Sequence, residues 1–100
     1  MTPLVLAAVA RRYTRLLAAL DAALRHADPP RQDRAAVRQA RARAAHRAYA
    51  LERALLGQWR ALHRLLTLAG VPPVARLDPR AVAAVLQQWE QELQEALAAL

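Results

Sequence analysis

The feature that most constrains this chain is the placement of its six prolines. They fall at three places only: Pro3, the Pro29-Pro30 pair, and the stretch from Pro72-Pro73 to Pro79. A proline inside a helix removes a hydrogen bond and clashes with the preceding turn, so uninterrupted helix is confined to the intervals between these points. Those intervals are rich in alanine, the strongest helix former, which supplies 26 of the 100 residues. Ile and Phe are absent, and the few Val and Thr residues never alternate with polar ones, so no strand is expected. The reading is an all-α chain forming a single domain over residues 1–100.

Three helices are expected, over about 3–27, 30–69 and 79–100. The first has Thr2 as its cap and Pro3 at the first helical position. Leu6, Val9, Tyr13, Leu16, Leu17, Leu20 and Leu24 recur every three or four residues and form one apolar stripe. Asp28-Pro29-Pro30 then forces a turn. In the second helix Pro30 fits the first turn and Asp33 suits the helix dipole. Its stripe begins with small residues (Val37, Ala40, Ala44, Ala48) and continues with Leu51, Leu55, Leu62 and Leu66. Gly70 suits the left-handed position after its last turn. The third helix is capped by Asp78 ahead of Pro79 and carries Val82, Val85, Leu86, Trp89, Leu93, Ala96, Leu97 and Leu100.

The middle helix is too long for its neighbours. Forty residues of helix span ~60 Å, against ~35 Å for either flanking one. Short connections would fold all three antiparallel, so each place along the middle helix would have a single neighbour and no core would close. Two solutions follow. A second copy completes the bundle as a homodimer, which is the preferred expectation, or the helix breaks near Gly57 and a four-helix monomer closes on itself. The apolar anchors of the core or dimer are Leu51, Leu55, Trp59, Leu62, Leu66, Trp89 and Leu93, with the two tryptophans brought close.

Charge narrows the function. The net charge is +7, and every Lys or Arg in the chain is an arginine. Arg31, Arg34, Arg38 and Arg41 share one helical ridge, and Arg43 and Arg47 lie on a separate side. A rigid basic helix of this kind suits a phosphate backbone, so these six are the expected nucleic-acid contacts. Arg53, Arg60 and Arg64 lie on another side, where Glu90, Glu92 and Glu95 of the third helix are expected to pair with Arg53 and Arg60. The absence of Ser, Cys and Lys removes the common nucleophiles, so no enzyme is expected. Only two glycines occur, which leaves no phosphate-cradling loop. His26, His46 and His63 do not pair at ligand spacing, so neither a metal nor another cofactor is expected. No apolar run approaches a membrane span, so no membrane partner is expected and a cytoplasmic location is the default. The expectation is a homodimeric binder of DNA or RNA backbone without strong sequence preference. The alternative is a helical adaptor or chaperone-like module that holds a partner's amphipathic helix.

Overall fold

A computed structural model describes residues 3–26 and 32–100. Its helices are α1 (Pro3–His26), α2 (Gln32–Leu55), α3 (Arg60–Leu68) and α4 (Pro79–Ala98), with a short 3-10 turn over Ala75–Leu77. No strand occurs among the described residues. Thr2, the Asp28-Pro29-Pro30 turn and Arg31 lie outside the described residues, as do the side chains of Asp33 and Arg34.

The three-helix expectation is corrected to four, and the four-helix alternative fits. The long central helix ends at Leu55. Its end is closed by the backbone: Gln58 N–H donates to the Arg53 carbonyl at 2.8 Å and Gly57 N–H to the Ala54 carbonyl at 3.0 Å. This pair of bonds requires a left-handed residue, and Gly57 supplies it at φ +85°. The same closure recurs after α3, where Val71 N–H reaches the Leu66 carbonyl at 2.9 Å and Gly70 N–H the Thr67 carbonyl at 3.0 Å. Gly70 sits at φ +82°, as the sequence predicts. A penalty of ~1 kcal/mol for glycine inside a helix thus understates Gly57, whose freedom to turn left-handed is what stops α2.

The break also supplies the missing neighbours. Arg41 of α2 pairs with Asp21 of α1, and Arg43 and Arg47 with Glu92 of α4. Arg12 of α1 pairs with Glu90 of α4. The middle of α2 therefore has α1 on one side and α4 on another, both reading antiparallel to it. The nine-residue α3 folds back along α2 first, and the 69–78 segment then returns the chain so that α4 can descend beside α1. Arg76 anchors that return by donating to the Val71 carbonyl and to the Thr67 hydroxyl. Asp78 caps α4 by accepting from Arg80 N–H at 3.0 Å, as its position before Pro79 implies.

Packing follows a small-against-large rule. Ala40, Ala44 and Ala48 of α2 are buried, and the bulk comes from Leu6, Tyr13 and Leu20 of α1 and from Leu86, Trp89 and Leu93 of α4. Leu51, Leu62 and Leu66 join the same core. A core therefore closes within one chain, and the length mismatch that called for a second copy disappears. Leu55 and Trp59 do not join this core: they stand 41% and 39% exposed, because the turn at residues 56–59 takes them out of the α2 stripe. The two tryptophan rings have different neighbours, His63 for Trp59 and Arg47 for Trp89.

Candidate functional site

The arginines of α2 divide into those answered by a carboxylate and those left open. Arg41 donates to both Asp21 oxygens, at 2.7 and 3.4 Å. Arg43 Nε donates to Glu92 Oε1 at 2.8 Å, and Arg47 Nη1 to Oε2 at 2.9 Å, so both oxygens of one carboxylate are held. Arg47 also lies over the Trp89 ring, 5.0 Å from its centroid. Burial by itself raises the Glu92 pKa, but the hydrogen bonds and charges of Arg47 and Arg43 outweigh it, and the carboxyl titrates below its ordinary range. Tyr13 is buried beside this group, and its hydroxyl has no hydrogen-bond partner of good geometry. Burial pushes its pKa up, against a smaller opposing pull from Arg47. Arg43 and Arg47 thus act as a tie between α2 and α4. Of the expected ridge, Arg38 is exposed and has no carboxylate partner among the described residues.

The pairing expected of the α4 carboxylates with Arg53 and Arg60 is corrected. Glu90 goes to Arg12, Glu92 to Arg43 and Arg47, and Glu95 accepts from Gln91. The reason is again α3, which occupies that flank of α2 and carries Arg60 with it.

Arg53, Arg60 and Arg64 are brought together instead. They line an open cleft of about 580 Å³ at the α2–α3 elbow, with Tyr49 and Trp59. Tyr49 and Arg53 are one helical turn apart on α2, and Arg60 and Arg64 one turn apart on α3, so the elbow sets two short ridges face to face. No acidic side chain lines the cleft. Tyr49 is 56% exposed, and the Arg53 guanidinium lies 5.7 Å from its ring centroid. The Trp59 ring sits 6.4 Å from that of His63. The sequence grouped these three arginines on a side of their own but did not fold that side into a cleft. Gly57 was the available signal, since a reversal there sets Arg60 and Arg64 across a cleft from Arg53.

A second cleft of about 280 Å³ lies between α2, α3 and α4, with Trp89, Leu65 and Leu68 on its walls and the Glu92-bound Arg43 and Arg47 at its edge. Among the described residues no group of three or more His, Asp or Glu side chains is placed to hold a metal ion, and no helix is long and apolar enough to cross a membrane. Comparison of the chain with protein-family models, with curated proteins and with solved structures finds no match.

Proposed function

We propose that this is a non-enzymatic cytoplasmic protein that binds nucleic-acid backbone without strong sequence preference. The observation that carries the reading is the convergence of Arg53, Arg60 and Arg64 on a cleft that no carboxylate lines, in a chain of net charge +7. Phosphate affinity grows with the number of cations free to replace counterions, and among the described residues none of these three pairs with a carboxylate. Arg38 extends the open surface along α2, whereas Arg41, Arg43 and Arg47 contribute less because each already faces a carboxylate. The reading does not require a second copy of the chain.

Salt titration tests it. Binding of a labelled oligonucleotide, followed by anisotropy, should weaken linearly in log salt. Replacing Arg53, Arg60 and Arg64 together by Gln should flatten that slope by about 2 to 3. An absence of binding at about 50 mM salt overturns the proposal.

A second reading is favoured by a different observation. Leu55, Leu56, Leu68 and Val74 are exposed, and Leu56, Leu68 and Val74 are each more than 70% so. Exposed apolar side chains of this kind suit a partner helix, as in an adaptor. Such binding would resist salt, which separates it from the first reading.

A further inference from the structure

We propose that the α2–α3 elbow is a stacking site for the bases of single-stranded nucleic acid. This rests on the backbone-binding reading and adds what that reading lacks, a preference between strand states. An arginine surface alone serves duplex and single strand alike, because both offer phosphates. The elbow offers more than charge. Tyr49 and Trp59 stand half-exposed on the same cleft as Arg53, Arg60 and Arg64. A large aromatic side chain left open to water forgoes burial that would stabilise the fold. The core has room for aromatic bulk, since it takes in Trp89 and Tyr13. The two rings outside it are the two that share a cleft with unanswered arginines.

A base and its phosphate need these two chemistries side by side: a ring face for the base, and a guanidinium for the phosphate a few ångströms away. Bases in a duplex are stacked on one another and cannot reach a ring on a helical surface, whereas those of a single strand can turn outward. The cleft is open and about 580 Å³ in volume, so an extended strand can cross it without threading. Every base presents a π-face, so the site would tolerate any sequence.

The test uses the whole protein, a ~20-nucleotide single strand, the same length of abasic strand, and the matching duplex, all at low salt. Trp59 is the exposed tryptophan and Trp89 is 5% exposed, so intrinsic fluorescence reports mainly on the elbow. The full strand should quench it and the abasic strand should not. Trp59→Leu and Tyr49→Leu, both at exposed positions, should each weaken the full strand about tenfold, a clearly larger loss than either causes for the abasic strand or the duplex. Circular dichroism confirms that the variants fold. Equal affinity for full and abasic strands, with unmoved fluorescence, overturns the stacking site and leaves backbone binding intact. Failure of every strand to bind removes both.

Discussion

The middle and the end of α2 carry similar arginines in different circumstances. In the middle, Arg41, Arg43 and Arg47 face Asp21 and Glu92 from the neighbouring helices. At the end, Arg53 faces Arg60 and Arg64 across a cleft with no acid. The difference teaches that charge counted along a sequence is not charge available to a ligand. Which arginines stay open is decided by the helix that packs beside each of them. Within the described residues, Arg41, Arg43 and Arg47 of the dense basic run are therefore the better neutralised, and the sparser set beyond them is the more open.

The sharpest way to break this comparison is to remove cations from each region in turn. Arg47→Gln should lower stability by about 2 kcal/mol, because it takes away both a hydrogen bond to Glu92 and the contact over Trp89. Its effect on oligonucleotide affinity should stay within about twofold. If Arg47→Gln weakens binding as much as Arg60→Gln while the melting temperature holds, the division between the two regions is wrong.

The elbow depends on Gly57, and that dependence can be tested directly. A Cβ there would meet no atom within 4 Å, so Gly57→Ala isolates the cost of a left-handed alanine. The expected loss is about 1 kcal/mol, visible as a lower denaturation midpoint, with weaker binding by the elbow arginines. If α2 instead runs straight through, the apparent mass in sedimentation should rise, because the expected long helix needs a second copy to close a core.

A smaller effect comes from pH. The Glu92 carboxyl has a lower pKa folded than unfolded, so its pairing stabilises fully above the unfolded value of about 4.3 and is lost as pH falls through the folded value. The group is partly exposed and screened, so the contribution stays under about 1 kcal/mol. Glu92→Gln should remove this part of the acid sensitivity in a thermal melt between about pH 5 and pH 3.

Much of the fold was legible because it depends on local signals. Helical spacing placed Leu6, Tyr13, Leu20, Leu51, Leu66 and Leu93 in the core, where they lie, and Asp78 and Gly70 closed helices as expected. The elbow was less legible. A glycine at one position is compatible with a continuous helix at small cost or with a full stop. What decides is the tertiary gain of letting α4 pack on both α1 and α2, and no window of sequence contains that gain. The misassigned partners of Glu90 and Glu92 follow from the same gap. Once α3 turns back, every register expected between residue 56 and α4 shifts.

Backbone closure at a glycine ends the helix on either side of the elbow, Gly57 for α2 and Gly70 for α3, and α3 starts at Trp59 without a side-chain cap bond. The residues of this short helix therefore divide into two kinds of obligation. Leu62 and Leu66 answer to the core, while Trp59, Arg60 and Arg64 line the open cleft. Substitutions at the second kind leave the boundaries of α3 as they are. The chain thus has a segment whose cleft-facing side chains can drift across generations while the architecture stays constant, a form of evolutionary latitude that the arginines tying α2 to α4 do not share.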